Sequence, residues 1–200
     1  MTRLEPLDPG EMSDEQLELY RKFTTGVRAA PGTDFALVDD RGRLIGPPAA
    51  WVLSPSTGSV LEQLGGQIRF HLGLSPRARE AAILFVAYDE GNPFEIATHV
   101  RAGAIAGLTP DDLDALAEGR APAARSDEER VVFTAVPSLL RERTLSDEEY
   151  RSAAAVLGVD GLLDLTALVG YYRLVSIQLN VFGILPAARD AGDSSSAGQR

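Results

Sequence analysis

One histidine and two glutamates are the residues of this sequence best suited to chemistry. His99 lies in a segment predicted to be helical, and Glu95 comes four residues before it, so both side chains share one helix face. An imidazole beside a carboxylate has a fixed tautomer and a raised basicity, which general acid–base catalysis requires. The alternative interpretation is a solvent-facing Glu–His pair that adds only slightly to helix stability.

Glu80 is the second glutamate of interest, and it opens a helix that is apolar almost all round after it. Such a pattern indicates deep burial of the helix. Glu80 is then either a partner of the positive helix N-terminus or a buried acid. As a buried acid it would have a raised pKa and could orient His99 or transfer a proton.

Several other chemistries are excluded or disfavoured by the residues present. The chain has no cysteine, which rules out thiolate nucleophiles, disulfides and Cys-based metal sites. His99 and Glu95 have no second carboxylate–His pair to complete a metal site, and no phosphate loop, nucleophile elbow, flavin motif or haem motif is present. We therefore expect no metal and no cofactor. His71, the other histidine, is expected to complement a helix C-terminus.

The charge of the chain bears on its partners. It carries a net charge of −10 over 200 residues, whereas nucleic-acid binding depends on Lys and Arg that neutralise phosphates. We therefore expect a small-molecule substrate and no nucleic acid.

The first ten residues have no apolar core typical of an export signal, which predicts a cytoplasmic protein. Charged and amide side chains interrupt the apolar stretch 162–185, so we expect no membrane span.

Helix starts and stops are clear, and they predict an all-α fold. Ser13, Ser126 and Ser146 each open a capping box, and Thr109-Pro110 gives a similar start. Gly107, Gly119 and Gly158 follow helical runs and suit the left-handed end of a helix. Helices are predicted near 13–30, 57–72, 76–89, 93–106, 110–118, 127–143, 147–157 and 160–183, with a kink or break at Pro137.

The remaining segments define the domain organisation. Residues 33–55 contain a turn signal between short apolar runs and predict a hairpin or an irregular extended segment. The tail 186–200 is rich in Ala, Gly, Ser and Asp, which predicts disorder. We therefore expect a flexible N-terminus over 1–12, one helical domain over 13–185, and a disordered tail over 186–200.

The last predicted helix also bears on assembly, because its apolar residues fall on several faces. Apolar coverage on more than one face calls for a second partner, and the simplest partner is another copy of the chain. The alternative is that this helix is the central one of its own domain. We expect a homo-oligomer, with a dimer as the smallest unit.

The stretch from Leu74 to Leu116 resembles the carboxymuconolactone decarboxylase family, which includes the AhpD-like alkylhydroperoxidases. The resemblance rests on three elements: the Arg-x-Arg-Glu helix opening at 77–80, the Glu95-x-x-x-His99 pair, and the small-residue run from Ala102 that closes with Gly107-Leu108-Thr109. It implies an AhpD-like all-α helical bundle that assembles into homo-oligomers, with trimers or hexamers as larger alternatives.

The resemblance also implies a division by chemistry. Peroxidase members carry a Cys-x-x-Cys pair before the histidine and a glutamate on the preceding helix. Alignment on His99 puts Glu80 at that glutamate, Asn92 at the first cysteine and Glu95 at the second. Both sulfurs are missing, and neither Asn nor Glu replaces a thiolate. The chain thus looks like the decarboxylase branch, which uses a polar Glu/His pocket.

These observations lead to a hypothesis and an alternative. The hypothesis is a cofactor-independent lyase or isomerase acting on a small carboxylated or lactone-like molecule, in which His99 donates a proton and Glu80 and Glu95 orient it. Arg77 or Arg101 would contact the substrate carboxylate, and Asn92 would also belong to the substrate-binding residues. The alternative is a non-catalytic binding or scaffold protein that retained the fold and lost the chemistry.

Overall fold

The computed structural model describes residues 3–25 and 37–186. This part of the chain is helical and follows the predicted all-α class. A short 3₁₀ turn, Pro9–Glu11, precedes eight helices: α1 Asp14–Thr25, α2 Pro47–Trp51, α3 Pro55–Phe70, α4 Pro76–Asp89, α5 Pro93–Ile105, α6 Pro110–Ala117, α7 Asp127–Glu142 and α8 Asp147–Phe182. The predicted tail after Pro186 and the predicted helix residues 26–30 lie outside the described residues.

Local capping explains where these helices begin. The side chain of Ser13 and that of Gln16 each bond the other's backbone N–H. Ser146 with Glu149 and Thr109 with Asp112 do the same, so three predicted capping boxes are confirmed. The box predicted at Ser126 is half formed, because its hydroxyl accepts from the Glu129 N–H while the Glu129 carboxylate binds elsewhere.

The predicted hairpin or irregular segment near 33–55 contains a short helix, α2, in its described part. Its described part has an isolated antiparallel bridge between Val38 and Leu44, around a turn in which Asp39 Oδ1 accepts from the backbone N–H groups of Arg41 and Arg43. The short helix α2 then follows Gly46, whose φ of 67° suits a glycine. The sequence does not predict α2, because two prolines and a tryptophan do not show a helical period over five residues.

Helix interruptions were expected at Gly158 and Pro137, and the structure shows only the first of them. The predicted separation at Gly158 is confirmed as a kink in α8, where φ is 77° and ψ is 166°. A break at Pro137 is not found, since α7 continues from Asp127 to Glu142. The residues on either side of Pro137 are buried, and their packing outweighs the loss of one backbone hydrogen bond.

The chain forms two compact units, Met1–Gln67 with Ile177–Arg200 and Ile68–Ser176. In the first, the rings of Phe23 and Trp51 lie 6.0 Å apart and Trp51 Nε1 donates to Gln178 Oε1 at 2.8 Å. Gly58 allows α3 to approach Trp51, because a Cβ there would lie 2.4 Å from the Trp51 carbonyl oxygen. The backbone N–H groups of Arg3 and Leu4 donate to the Phe182 carbonyl. The flexible N-terminus over residues 1–12 and the single domain over 13–185 stay predictions.

The second unit contains α4, α5, α6 and α7 with most of α8. The helix α4 packs against α5, α6 and α7, and from Ala81 to Ala87 every residue of α4 is buried. The deep burial that the sequence predicts for α4 is therefore confirmed. Everything that the sequence proposed for catalysis lies in this unit.

The helix α8 has one buried and one exposed apolar face. Leu165 and Leu168 are fully buried, whereas Leu163 and Leu174 are 69% and 39% exposed. By length and composition alone α8 would be long and apolar enough to cross a membrane: an 18-residue window reaches a mean hydropathy of 1.7, and 28% of it is buried. A core helix of a water-soluble protein meets the same criteria, so the absence of a membrane span stays a prediction.

Candidate active site

The candidate site is formed by the first turns of α4 and by the middle of α5. Ser75 caps α4 by accepting a hydrogen bond from the Ala78 N–H, and Pro76 occupies the first helical position. Asn92 caps α5 by accepting from the Glu95 N–H at 2.9 Å. These caps fix the two helix starts, and they thereby fix the direction in which Glu80 and Glu95 leave the backbone.

The imidazole of His99 lies between two carboxylates. Its Nδ1 is 2.7 Å from Glu80 Oε2, and its Nε2 is 3.2 Å from Glu95 Oε2. The three side chains are only 3–4% exposed. A neutral imidazole has a single N–H, so two ionised carboxylates at both nitrogens are matched by an imidazolium that donates to each. The arrangement therefore stores a proton between two helices.

The pKa values of this cluster follow from its charges. Burial lowers the pKa of His99, but the Glu80 charge and hydrogen bonds to Glu80 and Glu95 outweigh it and raise this pKa above 6.5. Burial raises the pKa of Glu80, yet the charges of His99, Arg69 and Arg79 and the His99 hydrogen bond bring it below 4.5. The raised Glu80 pKa expected from burial alone is therefore wrong, because the ion pair dominates.

These pKa directions predict how stability depends on pH. The raised pKa of His99 contributes stability that is fully present below pH 6.5 and is lost as the pH rises through the folded-state value. The lowered pKa of Glu80 contributes stability that is present above pH 4.5 and is lost as the pH falls through its folded-state value. We expect urea unfolding to show a falling free energy of unfolding above pH 6.5 in the wild type and a smaller fall in His99→Gln. Equal slopes for the two proteins would contradict the ion pair.

Two positions near His99 are Tyr172, which packs against the imidazole, and Gly103, four residues later on α5. The Tyr172 ring packs edge-to-face with the imidazole, with centroids 5.2 Å apart and planes at 90°. Burial, with the negative charges of Glu95 and Glu80, raises the pKa of Tyr172, so its hydroxyl stays protonated. The small residues after His99 do not leave open space at Gly103, because a Cβ there would lie 2.7 Å from Leu108 Cδ1. They serve close helix packing instead.

Arg77 does not lie with the His99 cluster in the way that its predicted substrate contact requires. Its guanidinium is buried and binds two carboxylates, Glu129 Oε2 at 2.5 Å and Asp112 Oδ2 at 2.8 Å. It also donates to the Ala123 carbonyl at 3.3 Å. Arg77 therefore joins α4 to α6 and α7, and we leave it out of the proposed site.

Asn92 and Arg101 also fall outside the cluster. Asn92 is fully buried, and both ends of its amide serve the chain, since Oδ1 accepts from Glu95 N–H and Nδ2 donates to the Ser176 carbonyl. Arg101 is exposed on α5. We therefore leave both out of the proposed site, which keeps His99, Glu80 and Glu95.

Two residues beside His99 and Glu80, Tyr172 and Arg79, are not among the site residues predicted from the sequence. Nothing in the sequence places Tyr172 beside His99. Arg79 lies next to Glu80 in the sequence, and its Nε is 3.5 Å from Glu80 Oε1. The signal that could have identified Arg79 is its adjacency to Glu80 at the start of a buried helix. Among the described residues, no group of three or more His, Asp or Glu side chains is arranged to hold a metal ion.

Comparisons with known proteins agree with this geometry. Residues 55–136 match the model of the carboxymuconolactone decarboxylase family, and this range includes α4 and α5 with Glu80, Glu95 and His99. No match was found among curated proteins.

Two crystal structures share the fold. An uncharacterized peroxidase-related protein from Ralstonia eutropha, described as an alkylhydroperoxidase AhpD core, has a TM-score of 0.71 and 11% identity, and the match covers 94% of each chain. An uncharacterized peroxidase-related protein from a Silicibacter species has a TM-score of 0.72 and 13% identity, over 96% of this chain and 94% of that one.

The likeness to the two crystal structures shows the fold, and the family match covers Glu80, Glu95 and His99. The sequence adds that the chain has no cysteine. Residues 55–136 of this cysteine-free chain are thus similar to the carboxymuconolactone decarboxylase family, and the chain has the AhpD-like all-α fold.

Proposed function

We propose that the chain is a cofactor-independent lyase or isomerase of the decarboxylase type, acting on a small carboxylated or lactone-type molecule. The observation that carries this proposal is the His99 imidazole held between Glu80 of α4 and Glu95 of α5. A buried, charged proton donor costs free energy to maintain, and such perturbed groups cluster at functional sites. The cluster matches a reaction whose main demand is the delivery of one proton.

The reaction would use the two ring nitrogens differently. When the bond to the leaving carboxylate breaks, its electron pair passes into a conjugated carbonyl as an enolate and CO₂ departs. His99 Nε2–H then gives its proton to carbon, while Glu80 keeps the Nδ1–H in place. The Nε2 side is the side for substrate, because its 3.2 Å contact with Glu95 is longer than the 2.7 Å contact with Glu80. An isomerase would use the neutral imidazole, which takes a proton from one carbon and returns it to another.

The second candidate function is a non-catalytic binding or scaffold role. Two observations favour it: the near-complete burial of His99, Glu80 and Glu95, and the engagement of both ring nitrogens within the chain. Under this interpretation the cluster only joins α4 to α5. Catalysis instead requires that the Glu95 side of the imidazole opens to a substrate.

Product analysis with a panel of lactone acids and conjugated carboxylic acids tests the proposal. We expect conversion of at least one of them without added metal or cofactor, detected as CO₂ release or as a shifted double bond in the product. A peroxide assay with a dithiol donor is the matched negative test, and it should show no turnover because the chain has no cysteine. Thiol-dependent peroxide reduction would contradict the proposal. Inertness toward the whole panel would favour the scaffold role.

We also propose that the protein is a homo-oligomer and that it is cytoplasmic. We further propose that it binds neither nucleic acid nor a membrane. The support for assembly is the exposed apolar face of α8, where Leu163 and Ile177 are 69% and 54% exposed. Apolar side chains in such a row are typical of a contact surface.

Light scattering over a dilution series measures the assembly. We expect a mass of at least twice 21.4 kDa at micromolar concentration, and a lower mass for Leu163→Glu, whose charge opposes burial. The control is Arg151→Glu, at an exposed position of the same helix. A wild type that stays at 21.4 kDa throughout would disprove the proposal.

A further inference from the structure

A cavity of about 190 Å³ lies in the first unit, where α2, α3 and the end of α8 meet. The described residues that line it are all uncharged, and the larger ones are Trp51, Leu53, Thr57, Leu61, Gln178 and Phe182. Glu80, Glu95 and His99 belong to the second unit and do not line this cavity. It therefore calls for an explanation of its own.

The Trp51 indole forms a fixed wall of the cavity. Trp51 is 4% exposed, its ring lies 6.0 Å from the Phe23 ring, and its Nε1 donates to Gln178 Oε1 at 2.8 Å. Gly58 allows α3 to lie close to this wall, because a Cβ there would be 2.4 Å from the Trp51 carbonyl oxygen. Since the wall is held before a ligand arrives, binding loses less free energy to ordering of the site.

The volume of the cavity limits the size of its ligand. An engineered apolar cavity of about 150 Å³ binds benzene, whereas sites for drug-sized molecules begin at about 300 Å³. A cavity of about 190 Å³ therefore suits one six-membered ring with a small substituent. Trp51 and Phe182 favour an aromatic ring, because edge-to-face and offset aromatic pairs add to the gain from apolar burial.

The polar groups of the lining limit the chemistry of the ligand. An indole N–H can only donate, so its bond to Gln178 assigns the amide oxygen to Trp51 and leaves the Gln178 NH₂ group as the donor for a ligand. An oxygen that accepts a hydrogen bond matches this donor. A charged ligand would lose its hydration without meeting an opposite charge among the described lining residues.

We propose that this cavity binds an uncharged, monocyclic aromatic molecule that carries one acceptor oxygen. The site is independent of the proposed function, since its uncharged lining disfavours the carboxylated substrates considered for His99. A side chain from a second copy is a poorer occupant, because the large apolar side chains exposed on the second half of α8, such as Leu174, Ile177 and Val181, carry no oxygen for Gln178.

Anisole is the probe that tests the proposal. The chain has a single tryptophan, so one indole N–H signal in ¹⁵N–¹H NMR spectra reports on the cavity. We expect anisole to shift this signal saturably, with a Kd of about 1 mM or tighter. Benzene, which lacks the oxygen, should bind about 3- to 10-fold more weakly. Benzoate at the same concentrations should leave the signal unshifted.

Two variants and a control assign the binding to the cavity. Thr57→Phe fills the cavity from an exposed position of α3 and should weaken anisole binding about 10-fold or more. Gln63→Phe, at an exposed position of the same helix outside the lining, should bind like the wild type. Gln178→Glu keeps an acceptor for Trp51 Nε1 but removes the NH₂ donor, so the preference for anisole over benzene should disappear.

The contrary results are equally specific. The proposal is overturned if anisole leaves the indole signal unshifted up to its solubility limit, if benzoate binds as well as anisole, or if folded Thr57→Phe binds anisole like the wild type. If Thr57→Phe does not fold by circular dichroism, Gln178→Glu decides, and an unchanged preference for anisole over benzene overturns the proposal. An indole signal that moves on dilution of the protein but not on addition of anisole would assign the cavity to a second copy instead.

Discussion

A Glu80→Gln variant is expected to lose about 10²–10⁴-fold in kcat on any acid that the wild type converts, the range typical of positioned acid–base groups. The amide keeps the shape of the side chain but removes the charge that stabilises the His99 imidazolium at 2.7 Å. The His99 pKa should fall accordingly, and the proton would no longer be stored at neutral pH. Steady-state kinetics and an NMR titration of His99 measure the two effects together.

The matched control for Glu80→Gln is Glu118→Gln. Glu118 is exposed and pairs with the exposed Arg120, so kcat should be unchanged. His99→Ala should lose as much activity as Glu80→Gln, and the double variant should lose little more, because residues that act as a unit are not additive. Full turnover by Glu80→Gln or His99→Ala would show that these residues do not carry the reaction.

The second large effect is expected on stability, from Arg77→Met. Removing this guanidinium leaves Glu129 and Asp112 buried without their main partner. Breaking a buried ion pair by removing one partner typically costs about 3–5 kcal/mol. We expect a loss of this size in the free energy of unfolding, measured by urea denaturation, with Arg125 compensating only in part through its 3.3 Å contact with Asp112.

Two further variants make this result interpretable. Arg130→Met removes an exposed pair with Asp127, whose side chains are 66% and 74% exposed, and should change stability by less than about 1 kcal/mol. The triple variant Arg77→Met, Asp112→Asn, Glu129→Gln removes all three charges and should recover much of the loss. If Arg77→Met were as stable as the Arg130→Met control, the ion pairs of Arg77 with Asp112 and Glu129 would not stabilise the fold.

The sequence alone was sufficient for features that arise within one helical turn. Serine and threonine caps predict where α1, α6 and α8 begin, because a capping box joins residues three apart. The Glu95–His99 pair is likewise a consequence of spacing on α5. By contrast, α2 and the continuity of α7 through Pro137 were missed, because packing rather than local propensity decides both.

The sequence by itself determined that this protein has no thiol chemistry, that it is helical, and that Glu95 lies on the same face as His99. Only the tertiary structure decided that Glu80, 19 residues before His99, binds the other ring nitrogen. It also decided that Arg77 binds Asp112 and Glu129, 35 and 52 residues away. The physical reason is that residues on different helices meet only where packing of apolar faces brings those helices together, and the burial that follows selects which charges must pair.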